Sequence, residues 1–249
     1  MLPFEPQVAD FYQNLRAIAP GRVEQFQSLP AANQYRKLYE LTDAHVPPDG
    51  SVLDWGCGRG HFSYWLLRRG HRVTAYSLED APELFDLLPE EERSRLTFVR
   101  GTDAVALPFA EASFAAAFSV GVLEHVREYG GTEEGSLREL HRVLRPGGRL
   151  VVYHFPNRFS HIEAYARLLR ADSHEHRFTA KEIARLTAAT GFAVRDVARY
   201  GFLPRNSFNR LPGSLRSSER VASIVNGVDR VLERVFSPLA QNYYFVAER

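Results

Sequence analysis

The residues best placed to do chemistry lie in one short stretch, from Asp54 to Gly60, which reads Asp-Trp-Gly-Cys-Gly-Arg-Gly. Asp54 precedes Gly56 by two positions, and glycines recur at Gly58 and Gly60. Glycine tolerates positive φ and has no side chain, so the backbone N–H groups of such a loop can approach a polar or anionic ligand. The stretch therefore predicts a small-molecule binding site.

The elements on either side of this loop fit that prediction. Ser51 to Trp55 is short and apolar, which predicts a buried parallel strand, and His61 to Arg69, followed by Gly70, predicts a helix. The carboxyl ends of parallel strands are where open α/β sheets bind ligands. The loop therefore lies where a ligand crevice is expected.

The glycine spacing distinguishes between ligand classes. Dinucleotide-binding loops read G-x-G-x-x-G, whereas His61 stands here where the third glycine is required. The D-x-G-x-G arrangement resembles motif I of the class I S-adenosylmethionine (SAM)-dependent methyltransferases. Another Rossmann-like nucleotide site, such as that of a nicotinamide oxidoreductase, remains an alternative that His61 opposes.

Two further stretches are similar to the same family. Asp103-Ala104 with Leu107-Pro108-Phe109 resembles its D-A-x-x-L-P-F pattern, and residues 137–152 read LRELHRVLRPGGRLVV. The resemblance covers about residues 50–198 and the final strand. It implies an α/β, Rossmann-like, doubly wound sheet of seven mostly parallel strands with an antiparallel last strand. We expect one domain, residues 1–249, divided into a helical cap (1–45), a SAM-binding core (50–198), a helical insertion (200–240) and the last strand (242–249). The alternative for residues 1–45 is a pair of helices that only covers the sheet.

Hydrophobic patterning places the remaining elements. We expect helices around Val8 to Leu15, over Ala31 to Ala44 and around Val221 to Val235, and a helix from Ala180 that a Thr179/Glu182 capping box begins. After the first strand, six more are expected: Arg72–Tyr76, Leu96–Arg100, Ala115–Val120, Arg149–Tyr153, Ala193–Val197 and Tyr243–Ala247.

The resemblance also assigns residues to SAM and its product S-adenosylhomocysteine. The glycine loop would lie along the methionine part, with Asp54 supporting the loop and the ammonium end. The main chain near Val120 would accept a hydrogen bond from the ammonium group. Asp103 would accept one from the adenine amino group, and Ala104 would pack nearby. The loop residues so assigned are Gly56, Cys57 and Gly58.

One departure concerns the ribose. Members of the family commonly end strand 2 with an acidic residue that accepts both ribose hydroxyls, and Ser77 occupies that position here. We expect Ser77 and Glu79 to share the task, with Leu78 turned toward the adenine or the core. The departure also supports an alternative of another class, a catalytically inactive SAM-binding regulatory or scaffold protein.

Histidines at strand ends could move a proton, because imidazole titrates near neutral pH. His125 is the first candidate and His154 the second, although either could be structural. Methyl transfer from SAM requires no metal, so none is predicted. A cluster of Glu124, His125, His174 and His176 is the alternative.

Composition limits the partners. The 249 residues carry a net charge of +1 with acidic and basic groups interspersed, so no nucleic-acid partner is expected. A single cysteine, Cys57, predicts no disulfide framework and a cytoplasmic location, and no apolar run predicts stable membrane association. We expect O-methylation of a small-molecule or glycan-linked hydroxyl. A quinone-like acceptor is the alternative if the Val221–Val235 helix turns an apolar face to the crevice.

Overall fold

The computed structural model describes residues 4–47, 50–103, 105–171 and 173–249. One sheet runs through it in the strand order β3-β2-β1-β4-β5-β7-β6. The first five strands pair in parallel, whereas β7 is antiparallel to both β5 and β6. The strands are β1 (Ser51–Trp55), β2 (Arg72–Ser77), β3 (Leu96–Arg100), β4 (Phe114–Val120), β5 (Leu144–Pro156), β6 (Ala193–Tyr200) and β7 (Asn242–Glu248).

Helices cover both faces of the sheet, and short 3₁₀ turns join several of them. Among the described residues, no helix is both long and apolar enough to cross a membrane. The α-helices are α1 (Glu5–Ile18), α2 (Leu29–Ala32), α3 (Arg36–His45), α4 (His61–Arg68), α5 (Glu90–Arg93), α6 (Glu133–Val143), α7 (His161–Leu168), α8 (Ala180–Ala189), α9 (Gly213–Arg216) and α10 (Glu219–Val235).

The central strands are buried on both sides because a parallel sheet must be covered on both faces. Val52 of β1 points into an apolar cluster that includes residues of α1, α3 and α4. The next residue, Leu53, points into a second cluster with residues of α6 and α8. This alternation confirms the predicted doubly wound fold, with its antiparallel last strand.

All seven predicted strands are present, and β1 and β3 have the predicted bounds. The single helix predicted over Ala31–Ala44 is wrong. It is divided into α2, a 3₁₀ turn and α3 at Asn33. The buried side chain of Asn33 donates to the Leu29 carbonyl and accepts from Asn226, so contacts with α10 hold the break in place.

The capping box at α8 is confirmed, since Thr179 and Glu182 exchange both expected hydrogen bonds. The condition set for a quinone-like acceptor, an apolar face of α10 turned to the crevice, is not met. The buried side of α10 carries Ala222 and Val225 together with two polar residues, Asn226 and Asp229. Much of the predicted apolar face is exposed to solvent and does not turn to the crevice: Ile224, Val228, Val231 and Val235.

Candidate functional site

The glycine loop is folded back on the second strand. The N–H groups of Gly56 and Cys57 both donate to the Tyr76 carbonyl, at 2.8 and 3.0 Å, and the Gly60 N–H donates to the Cys57 carbonyl at 2.8 Å. These bonds fix the loop across the carboxyl ends of β1 and β2. The sequence therefore places a rigid main-chain surface at the expected crevice.

The three glycines serve different purposes, although all have positive φ. A Cβ on Gly56 would lie 2.4 Å from the Val122 side chain, and one on Gly60 would lie 2.6 Å from Phe85. At Gly58 the nearest heavy atom would be 4.0 Å away. Packing therefore requires glycine at two positions, whereas Gly58 opens onto free space.

Asp54 is almost fully buried and accepts a 2.6 Å hydrogen bond from the Ser63 hydroxyl of α4. Burial raises the pKa of this carboxyl to about 6, against the opposing effect of the Ser63 hydrogen bond. The contact joins the two elements that flank the loop. A role toward the ligand's ammonium group stays a prediction.

A cavity of about 370 Å³ lies beside the loop at the carboxyl ends of β1, β2 and β4. It brings together three stretches that sequence reasoning had singled out separately: the glycine loop, the end of β2 and the segment after β4. Its lining consists of Trp55, Gly56, Gly58, Tyr76, Ser77, Leu78, Glu79, Gly121, Val122, His125, Val126, Glu128 and Tyr129.

The end of β2 turns along this cavity. Ser77 Oγ accepts from the Glu79 N–H at 3.0 Å, which bends the chain so that both residues line the cavity with Leu78 between them. Asp80 does not join them. It pairs with Arg100 at 2.5 Å.

Of the residues that the resemblance assigns to adenine, the structure describes Asp103, which is not part of the cavity lining. Asp103 is exposed, and its Oδ1 accepts from the N–H groups of Val105 and Ala106 at 2.7 and 2.8 Å. These bonds lower the pKa of the Asp103 carboxyl. Ala104 lies outside the described residues. Val120 ends β4, and the residues that follow it enter the cavity wall.

His125 lines the same cavity from the 3₁₀ turn after β4. Its side chain is 40% exposed, and Nδ1 lies 2.7 Å from Glu128 Oε1. If that nitrogen carries the proton, Nε2 is a proton acceptor. The geometry therefore suits the candidate base.

His154 lies in a different cavity. Its backbone has φ 64°, its N–H donates to the Tyr200 hydroxyl, and Nδ1 is 2.9 Å from the same hydroxyl. Burial lowers the pKa of this imidazole to about 3. This second cavity, of about 320 Å³, lies between the N-terminal helices, the ends of β5 to β7 and the insertion.

Sequence reasoning missed His61, which it read only as the absence of a glycine. The side chain is buried against Phe26 and Tyr35, and burial lowers its pKa to about 4. Neither ring nitrogen has a hydrogen-bond partner among the described residues. Tyr76 was missed too, although its place before Ser77 at a strand end was a usable signal.

Comparison with known proteins agrees with this geometry. A family model described as a methyltransferase domain matches residues 53–152. Methyltransferase GfsG of Streptomyces halstedii is 34% identical over 122 residues, covering 47% of this chain and 41% of its own length. Demethylmenaquinone methyltransferase of Thermus thermophilus is 34% identical over 107 residues, covering 42% and 47%. The matches thus span about half the length of these relatives.

Solved structures show the same fold. The Burkholderia thailandensis 1,6-didemethyltoxoflavin-N1-methyltransferase, solved with S-adenosylhomocysteine, superposes with a TM-score of 0.54 at 22% identity, covering 99% of this chain and 87% of that one. The [4+2]-cyclase SpnF gives 0.59 at 19% identity, covering 99% and 97%. Likeness at this level shows the fold alone. The family match spans the glycine loop and the strands that follow it, and over residues 53–152 the chain is similar to a methyltransferase domain.

Proposed function

We propose that the chain binds SAM in the 370 Å³ cavity and transfers its methyl group to a hydroxyl of a small-molecule or glycan-linked acceptor. The observation that carries this proposal is the junction of a glycine loop and a turned strand end at one crevice. Gly58 leaves open space where a methionine chain would run. Ser77 and Glu79 supply polar groups where a ribose would lie.

The residues present fit SAM, because Gly58 leaves open space beside the loop and the lining carries two carboxylates, Glu79 and Glu128, for a cationic ligand. When bound, SAM would supply a methyl group activated by its sulfonium, and the sulfur would keep the electron pair of the broken carbon–sulfur bond as S-adenosylhomocysteine departs. The protein then has to align the acceptor and exclude water, and alignment alone can lower a barrier by roughly 7–11 kcal/mol. We assign the methionine part to the loop and the nucleoside part to Ser77, Leu78 and Glu79.

The proton of the acceptor hydroxyl needs a destination as the oxygen bonds to the methyl carbon. His125 lines the cavity, and the Glu128 carboxylate can hold the proton on Nδ1. Nε2 then accepts the acceptor's proton, so His125 is the candidate catalytic base.

We place the acceptor toward the second cavity. A Cβ on Gly121, which lines the first cavity, would lie 4.0 Å from the Cβ of His154, which lines the second. The two cavities therefore lie on either side of a thin wall. The N-terminal helices and the insertion that line the second cavity lie outside the family match, and we assign acceptor selection to them.

A quinone-like acceptor is the second candidate, because relatives include demethylmenaquinone methyltransferases. The sequence made this depend on an apolar face of α10 turned to the crevice, whereas Ile224, Val228 and Val231 are exposed to solvent. That observation favours the hydroxyl acceptor.

Isothermal titration calorimetry with SAM tests the cofactor site. Gly58→Val should abolish measurable binding, because the branched side chain fills the space beside the loop. Gly147→Val is the matched control, since Gly147 also has positive φ and open surroundings but lies outside the cavity. Equal loss in both variants, or tighter binding of NAD than of SAM, would contradict the proposal.

Turnover tests the catalytic step. His125→Ala should lower the rate with a hydroxyl acceptor by roughly 10²–10⁴ while SAM binding persists. SAM binding without turnover of any hydroxyl or quinone acceptor would favour the inactive SAM-binding regulator.

A further inference from the structure

Three side chains that can bind metals meet beside the first cavity, from two distant parts of the sequence. Glu124 and His125 are adjacent in the 3₁₀ turn after β4, and His174 lies between α7 and α8. One candidate ligand atom from each lies within 4.8 Å of the other two. The imidazole rings of His125 and His174 are 5.3 Å apart between centroids.

We propose that Glu124, His125 and His174 bind one divalent first-row transition-metal cation. Two imidazoles and a carboxylate form a ligand set that suits such ions and leaves a position open for water or a substrate oxygen. In a tetrahedral site with metal–ligand bonds of about 2.0–2.2 Å, the ligand atoms lie roughly 3.3–3.6 Å apart. The three atoms here lie within 4.8 Å of one another, so side-chain adjustments of up to about 1.5 Å close the site.

Nε2 of each ring is the proposed metal ligand, because Nδ1 of each histidine already has a carboxylate partner. A ligating imidazole almost always donates its other N–H to a carboxylate or carbonyl, which fixes the ring and its tautomer. His125 Nδ1 lies 2.7 Å from Glu128 Oε1, and His174 Nδ1 lies 2.9 Å from Glu163 Oε1. Glu163 also accepts the backbone N–H of His174 at 2.9 Å, so this ring is held at two points.

Glu124 supplies an independent indication. Its side chain is 5% exposed, and Oε2 has no hydrogen-bond partner among the described residues. Leaving a buried carboxylate oxygen without a partner is costly. Burial accordingly raises the pKa of this carboxyl to about 7, while the nearby His125 and His174 act in the opposite direction. A bound cation would satisfy that oxygen.

The site has room and access. A third cavity, of about 600 Å³, includes all three residues in its lining, and His125 also lines the first cavity. A cation here would be close to the proposed reaction site. A bound cation would compete with the proton of the acceptor for His125 Nε2, so metal binding and general-base catalysis at this ring exclude each other. Metal binding can be measured independently of the proposed methyl transfer.

The experiment uses the full chain, stripped with a chelator and measured without SAM or acceptor. Titration with Zn²⁺ in the calorimeter should show one equivalent bound, and Co²⁺ should give a visible absorption band from nitrogen and oxygen ligands. Glu124→Gln and His174→Gln should each weaken Zn²⁺ binding at least tenfold, since each removes one of three ligands. His45→Gln, in α3 and outside the cluster, should bind as the wild type does.

Circular dichroism and SAM titration keep the result interpretable. A variant that keeps its spectrum and its SAM affinity but loses Zn²⁺ supports the site. Absence of a stoichiometric Zn²⁺ site in the wild type would overturn the inference, as would unchanged Zn²⁺ binding in both folded variants. Loss of SAM binding in the wild type would instead contradict the proposed function and leave the metal result to stand alone.

Discussion

Glu79 is the carboxylate nearest in sequence to the strand end where the family commonly has an acidic residue. It is exposed and lines the first cavity with Ser77. A hydrogen bond to a charged acceptor contributes roughly 1.5–3 kcal/mol, which corresponds to about tenfold or more in affinity. Glu79→Gln should therefore weaken SAM binding by about that factor in calorimetry.

Asp80→Asn is the matched control, because Asp80 pairs with Arg100 and lies outside the cavity lining. It should leave SAM affinity unchanged. Ser77→Asp in the Glu79→Gln background should restore binding by supplying a carboxylate from the strand end. If Glu79→Gln binds SAM as tightly as the wild type, the ribose is held by Ser77 or the main chain.

Individual site residues could be predicted from the sequence where they belong to a short motif with characteristic spacing. The glycine loop, Ser77 to Glu79 and His125 all belong to stretches with recognisable patterns, and the structure brings them to one cavity. The sequence indicated His174 and His176 as alternative partners of Glu124 and His125, but it could not show which of them lies alongside. His174 follows by about 50 residues, and only the path of the chain between α7 and α8 brings it alongside.

The insertion is fastened to the N-terminal helices by a buried polar network. Arg205 pairs with Asp229 of α10 at 2.6 Å, with both side chains under 10% exposed, and also donates to the Pro30 carbonyl and to Asn226. Removing one partner of a buried pair leaves an unpaired charge and typically costs about 3–5 kcal/mol. Arg205→Ala should lower the free energy of unfolding by that amount in urea denaturation.

Arg138→Ala provides the comparison, because its pair with Glu134 on α6 is exposed and should cost less than about 1 kcal/mol. Arg205→Ala should also impair acceptor turnover, since Arg205 and Asp229 line the second cavity. SAM affinity should be spared. Equal loss of both activities would show that the insertion is mainly structural.

The bounds of helices and strands could be predicted from the sequence where an apolar run has clear boundaries, as for β1 and β3. They were not predictable where a distant side chain sets the boundary. Asn33 interrupts a good helical pattern through its bond to Asn226, about 190 residues further along. Likewise α10 buries Asn226 and Asp229 because their partners lie on other elements, whereas its hydrophobic pattern favoured the opposite face.

The stability of the whole molecule should depend on pH through groups on either side of the glycine loop. The pKa of His61 falls from its usual 6.5 to about 4 on burial. The unfolded chain therefore takes up a proton first as pH falls, and stability is lost below pH 6.5. Relative to His61→Gln, the wild type should lose about 2 kcal/mol of unfolding free energy between pH 7 and pH 5, measured by urea denaturation.

Asp54 should change the free energy of unfolding with pH in the opposite direction to His61. Its folded pKa of about 6 lies above the usual 3.8, so the stability it contributes is complete below 3.8 and is lost as pH rises through 6. Relative to Asp54→Asn, the wild type should therefore be more stable at pH 5 than at pH 7. The same sign for both variants would mean that burial of these two groups does not control their titration.

The strand order determines when parts of the sheet can form during synthesis of the chain. β6 pairs only with β7 among the described strands, and Asn242 follows Tyr200 by 42 residues. At a synthesis rate of about 5–20 residues per second, β6 waits roughly 2–8 s for its neighbour to be made. During that interval the sheet ends at β5, and the wall that β6 and β7 give the second cavity does not yet exist. The nascent protein thus completes its glycine loop well before it completes the pocket beyond it.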